Sequence, residues 1–143
     1  MDIEIDDKGI SFGKNHRLMF DLYHLDPSRH IQFNDPTVGG IFKKIVLEWA
    51  KVLESRLDID QTLFFPFAFE DEWIEALKVA ETDTECILTQ VVINENGWAI
   101  DFDLLCEFIT STHEIRHESP EPFIRTSKQE IISALRNAKV ITN

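Results

Sequence analysis

Basic residues are scarce in this chain: 14 Lys and Arg stand against 26 Asp and Glu, for a formal net charge of −12. Nucleic acids and anionic membrane surfaces are polyanions, so neither is an expected partner for so negative a protein. Cysteine is scarcer still. Cys86 and Cys106 are the only two; they make no disulfide framework and show no metal-type spacing, and both are expected as buried free thiols. Glycine is rare at five residues and forms no phosphate-cradling loop. Long apolar runs are missing: none approaches the roughly 20 residues needed to cross a bilayer. The opening MDIEIDDKG is acidic and alternating, where a signal peptide is basic and then apolar, so the expected location is the cytoplasm.

What is present suffices for a folded domain. The 143 residues are 43% hydrophobic and include 11 Phe, which supports one domain over 1–143 with a substantial core. The charge is unevenly placed. Residues 57–107 hold thirteen acids and a single base, Lys78, so the whole net charge lies there and the rest of the chain balances. A segment like this attracts and steers a basic protein partner.

The hydrophobic pattern predicts an α+β fold: an antiparallel β-sheet built from several hairpins, one long amphipathic helix and a short C-terminal helix. Ile3 and Ile5 alternate with acids, and Asp7-Lys8-Gly9 turns the chain into Ile10-Ser11-Phe12, a hairpin pattern. Another strand is expected over 17–25. A loop follows, with Asp35-Pro36 as a helix start. Over 38–53 apolar residues recur every three or four positions, which marks the long helix; Gly39 and Gly40 argue for a late start. In TLFFPFAF, 62–69, Pro66 restricts the strand to an edge or a bulge. Trp73, Leu77 and Ala80 are spaced for a short helix with an acidic first turn. In ILTQVVINENGWAIDFDLL, Asn96-Gly97 predicts a hairpin that pairs Ile93 with Ile100 and Val91 with Phe102. That register places Asp101, Asp103 and Glu107 in a row on one outward face and points the two cysteines apart. Ser127 followed by Glu130 reads as a capping box for the closing helix.

One stretch matches a catalytic pattern. His113-Glu114-Ile115-Arg116-His117 is an H-E-x-x-H sequence, in which histidines one helical turn apart hold zinc while the glutamate polarises the bound water. Glu121 or Glu130 would have to supply the third ligand. Against a zinc site stand the charged Arg116 between the motif positions, Pro120 close behind, and the strand expected over 98–104. The favoured reading is that His113 and His117 are loop histidines near the surface, with no catalytic residue and no cofactor. Nothing in the pattern fixes His16, His24 and His30, with Asp21 and Asp26 nearby, on one face. Asp101 and Asp103 could bind a divalent cation, but alternate acids on a strand are an ordinary solvated face. Cys106, beside Glu107, has no electropositive setting to activate it.

From Leu63 to about Ala138, the order LFFPFAF, WIEALKVA, ILTQVVINENGWAIDFDL and SKQEIISALRNA resembles the small acidic immunity proteins of bacterial contact-dependent growth inhibition. The resemblance is one of pattern and leaves the first 60 residues uncovered. It implies a cytoplasmic, non-catalytic protein that neutralises the toxic domain of a cognate effector, often a nuclease. A carboxylate-lined face can fill the basic groove of such a domain as a phosphate mimic. The candidate partner-binding residues are Glu70, Asp71, Glu72 and Glu75 around Trp73, together with Asp101, Asp103 and Glu107. Trp73 or Trp98 would be the aromatic anchor. Two other readings are an H-E-x-x-H zinc peptidase and an acidic secretion chaperone that wraps an extended client.

Overall fold

The computed structural model describes residues 1–20, 37–56, 60–97 and 104–141. The first hairpin forms as the alternation predicts. Strands β1 (Ile3–Ile5) and β2 (Gly9–Phe12) pair antiparallel with Ile3 opposite Phe12 and Ile5 opposite Ile10, which puts four apolar side chains on the inner face. Asp6 organises the turn. Its Oδ1 accepts hydrogen bonds from the Lys8 and Gly9 amides at 2.8 and 2.9 Å. Arg17 Nη2 donates to the same carboxylate at 2.9 Å, and this guanidinium, with help from the two amides, holds the Asp6 carboxyl below its usual range. Arg17 lies on β3 (His16–Met19), which pairs with β2. The strand expected over 17–25 is therefore observed as far as Met19, and 21–25 lie outside the described residues. The two-residue β9 (Lys139–Val140) adds to β1 in parallel, giving the order β3-β2-β1-β9.

Helix α1 (Val38–Ser55) is capped by Thr37, whose Oγ1 accepts from the Gly40 amide at 3.1 Å. The Asp35-Pro36 start lies outside the described residues. The helix does not start late. Gly39 and Gly40 are inside its first turn and buried, and a Cβ on Gly39 would come within 2.8 Å of Val140 Cγ1. Glycine there lets the helix lie against β9, at a helix-propensity cost of about 1 kcal/mol relative to alanine.

The second sheet has the order β4 (Leu63–Phe69), β5 (Ile74–Glu81), β6 (Cys86–Ile93), β7 (Ile115–Glu118), with β8 (Ile124–Thr126) also on β6. Pro66 has both of its permitted settings, since β4 is an edge strand and its register shifts between Pro66 and Ala68. The far edge of β6 is shared: Val91 and Val92 face Glu118 and His117 of β7, while Leu88 to Cys86 face Ile124 to Thr126 of β8. Residues 119–123 bulge away between them and carry Pro120 and Pro122, with the ends of the bulge still tied to β6 by the Ser119 and Phe123 amides, which donate to the Gln90 and Leu88 carbonyls at 3.0 and 2.7 Å.

Two expected elements are corrected here. The stretch 73–80, expected as a helix, is strand β5, and the acidic EDE before it is the β4–β5 turn. The second strand of the expected 86–107 hairpin is absent from the described residues beyond 103: residues 105–110 form helix α2 (Leu105–Thr110), and β6 pairs with β5, β7 and β8 instead. The physical reason is the same for both. β5 and β6 are covered on both faces, so their polar-out alternation is lost. Leu77, Val79, Cys86 and Leu88 join the main core, while Ile74, Ala76, Val91 and Ile93 join a second cluster with Phe64, Phe108 and Ile115. Central strands of this kind do not display the period of two.

Helix α2 packs against β4 and contributes to both clusters, Leu105 and Ile109 to the first and Phe108 to the second. It thus screens an edge strand. The chain then crosses from α2 to β7 on the opposite side of the sheet, over the second cluster. The main core joins the inner faces of both sheets with α1, α2 and α3 (Lys128–Arg136), and Trp49 of α1 stacks on Phe65 of β4 at 5.1 Å. In α3, Ser127 Oγ accepts from the Glu130 amide at 3.1 Å as the capping box requires, while the Glu130 carboxylate reaches the Met1 amino group at 3.6 Å. No helix among the described residues is long and apolar enough to cross a membrane.

Candidate functional site: an acidic end of the second sheet

Three segments meet where β4 turns into β5. The Glu70 amide donates to the Trp73 carbonyl at 3.0 Å and closes the turn. The Gly97 amide donates to the Glu70 carbonyl at 2.8 Å, and the Asn94 amide to the Glu114 carbonyl at 3.0 Å. Residues 70–73, 94–97 and 113–116 are thereby laced together through their backbones. Gly97 has no positive φ, the requirement that the hairpin reading placed on it. Its role is close approach: a Cβ there would lie 2.5 Å from the Glu70 carbonyl oxygen and 2.6 Å from the Phe69 carbonyl carbon.

This end collects Glu70, the exposed Asp71 and Glu72, half-buried Trp73 and the neighbouring acids Glu95 and Glu114. Arg116 sets its guanidinium 5.7 Å from the Trp73 ring centroid, within cation–π range. An open hollow beside it is lined by Glu72, Asn94, Asn96, Glu114, Ile115 and Arg116. Glu75 follows on β5, half-buried and opposite Ala68 and Val92. Glu70, Asp71 and Glu75 each have an interaction within the chain.

The other candidates divide. Glu107 is exposed on α2, not on a strand, so the row it was expected to share with Asp101 and Asp103 does not exist in that form. Asp101, Asp103 and Trp98 lie outside the described residues, as do Asp21, His24, Asp26 and His30. Cys86 is buried and Cys106 exposed, both free, so the expectation of two buried thiols holds for one. Burial and the nearby Glu81 push the Cys86 thiol up to about 11.

The acids of 57–107 do not form one surface. At the opposite end of the sheet, around the β5–β6 turn, bases from elsewhere in the chain meet them. Lys128 reaches Glu81 at 3.2 Å, Arg56 reaches it at 3.9 Å, and Arg125 reaches Glu85 at 2.9 Å. Arg56 and Glu81 are almost fully buried, with side chains 1% and 4% exposed. Sequence reasoning missed this end because its bases, Arg56 just after α1, Arg125 of β8 and Lys128 of α3, lie outside the acidic segment.

The H-E-x-x-H stretch is not helical. Residues 113 and 114 are irregular and 115–118 are β7. His113 is no surface loop residue either: its side chain is 3% exposed, and its Nδ1 and Nε2 lie 2.8 Å from Glu95 Oε1 and 2.6 Å from the Phe108 carbonyl oxygen. With both ring nitrogens engaged, no lone pair is directed to a metal. His117 is exposed opposite Val92. Among the described residues no group of three or more His, Cys, Asp or Glu is placed to hold a metal ion. Comparison with protein-family models, with curated proteins and with solved structures finds no match to this chain.

Proposed function

We propose that this chain is a non-catalytic acidic binding protein, and that it acts as an immunity protein which neutralises a basic, nuclease-type toxin domain. The observation that carries the reading is the concentration of all net charge in 57–107, part of which is brought together as Glu70, Asp71 and Glu72 beside Glu95 and Glu114. Trp73, half-buried under Arg116, supplies an aromatic contact at the centre of that end. Carboxylates so placed can meet the lysines and arginines that a nuclease presents to phosphate, with association speeded by long-range attraction.

The test is co-expression. The C-terminal domain of a candidate effector, sought in the genes adjoining this one, is produced with and without this chain, and growth and complex formation are followed. Rescue of growth with a one-to-one complex is expected, and Glu70→Lys, Asp71→Lys and Glu72→Lys together should abolish both. Association should slow steeply as salt rises. A neighbouring toxin that kills equally with and without the chain would refute the reading. A dimer that binds only extended peptide would instead favour a secretion chaperone.

A further inference from the structure

We propose that Asn96 is a self-modification site, where slow loss of ammonia turns the carboxamide into a carboxylate and unfastens the 94–97 loop. Asn96-Gly97 is the one Asn-Gly pair in the chain. The attacking atom is the Gly97 backbone nitrogen. Its new bond to Asn96 Cγ closes an imide ring, while the Asn96 amino group leaves with the Gly97 amide proton as ammonia. One water then opens the ring and returns a proton to the nitrogen. Cleavage between nitrogen and Cγ gives aspartate in the ordinary chain. Cleavage at the Asn96 backbone carbonyl carbon gives isoaspartate, in which the chain runs through Cβ and Cγ and is one carbon longer. Glycine suits the attack because no Cβ shields its nitrogen.

The two halves of the pair are placed differently. Asn96 is exposed and lines the open hollow beside Arg116. Gly97 is buried, and its amide donates to the Glu70 carbonyl at 2.8 Å. Attack needs that proton removed and the nitrogen turned towards Cγ, so the bond to Glu70 locks the reaction. The lock opens only when the loop does. Gly97 also sits where the Phe69 and Glu70 backbone leaves no room for a Cβ. A chain longer by one carbon shifts it by about a bond length, about 1.5 Å, which that close fit does not absorb. The isoaspartyl product therefore loses the bond to Glu70 and adds a carboxylate beside Glu72 and Glu114. This inference is independent of the partner reading and attaches to the same end of the molecule.

The test holds the intact chain at one pH and temperature, folded in buffer and unfolded in guanidinium. Peptide mapping by mass spectrometry then follows conversion at Asn96. Conversion should be at least about tenfold slower in the folded chain, the equivalent of about 1.4 kcal/mol. Hydrogen exchange at the Gly97 amide removes the same proton, so conversion should be slowed at least as much as exchange. The isoaspartyl fraction, isolated by ion exchange and refolded, should have lost Gly97 protection. Asn96→Asp, which adds the charge without the carbon, should keep it; the aspartyl fraction of the wild type makes the same comparison without a variant. Equal rates in the folded and unfolded chains would refute the lock. No conversion in guanidinium would refute the site, and full Gly97 protection in the isoaspartyl form would refute the release.

Discussion

Gly97→Ala should be strongly destabilising, because Gly97 is buried against the backbone of the β4–β5 turn. The added Cβ would lie 2.5, 2.6 and 2.8 Å from the Glu70 oxygen, the Phe69 carbonyl carbon and the Glu70 nitrogen. These are backbone atoms of a hydrogen-bonded turn and cannot rotate away. The 94–97 loop must retreat by about 1 Å to restore van der Waals contact, and the 2.8 Å bond from the Gly97 amide to the Glu70 carbonyl is lost. Overpacking costs about 1–3 kcal/mol and the hydrogen bond about 1 kcal/mol, about 2–4 kcal/mol together. Urea unfolding followed by tryptophan fluorescence would register this as a fall in midpoint of about 1–2 M, with the slope unchanged. Gly97→Asn discriminates the cause. In a hairpin turn with positive φ, asparagine is the best replacement for glycine. At a close backbone approach it is at least as harmful as alanine. An asparagine variant as stable as the wild type would refute the reasoning.

Further predictions concern other parts of the fold. Glu81→Ala leaves the Arg56 guanidinium buried without this carboxylate and should cost about 3–5 kcal/mol, whereas Arg125→Ala, at an exposed pair, should cost less than about 1 kcal/mol; chemical denaturation separates the two. A thiol reagent at about pH 8, near the ordinary cysteine range, should modify Cys106 alone in the native protein, because Cys86 is buried and its thiol is pushed up to about 11; immediate labelling of both would show the second to be open. Because folding lowers the Asp6 pKa, the contribution of this carboxylate is full above the usual carboxylate range and is lost as pH falls through the folded value. Asp6→Asn should therefore weaken the protein near neutral pH, modestly since the pair is partly exposed, and the gap to wild type should close in acid. Metal analysis of untagged protein should give the same result for wild type and His117→Ala, because His117 lies on a strand; stoichiometric zinc that vanishes in the variant would restore the peptidase reading.

Where one face of an element meets water, its pattern is legible. Ile3, Ile5, Ile10 and Phe12 specify the first hairpin and its register, and the apolar stripe of 38–53 specifies α1, although the helix runs on to Ser55. Ser127 and Glu130 mark the last helix by local hydrogen bonding. The middle of the chain is misread because its strands are buried twice over. In WIEALKVA the spacing of Trp73, Leu77 and Ala80 imitates a helix, while Ile74 and Ala76 serve one cluster and Leu77 and Val79 another. Beside the double burial of β6, Asn96-Gly97 misleads in a second way, since glycine is required by close approach as well as by positive φ, and sequence does not distinguish them. Of the site, the acids and Trp73 are visible in the sequence. Glu95 and Glu114 join them only through long-range pairing, and the seating of His113 depends on α2, an element with six residues and no side-chain cap.

The division of the β6 edge between β7 and β8 has a consequence for how this chain can vary. From Glu118 opposite Val91 to Ile124 opposite Leu88, β6 spends two residues and the other side five. Each of the short strands is therefore registered by its own contacts, and the excursion between them can lengthen without disturbing either. Removing three residues from it would have the opposite effect: β7 and β8 would fuse into one long strand with an uninterrupted row of outward backbone donors and acceptors. The prolines at 120 and 122 oppose that fusion, because neither can donate to a neighbouring strand. The interruption thus acts as a guard against sheet-to-sheet self-association, and its shortening should favour aggregation.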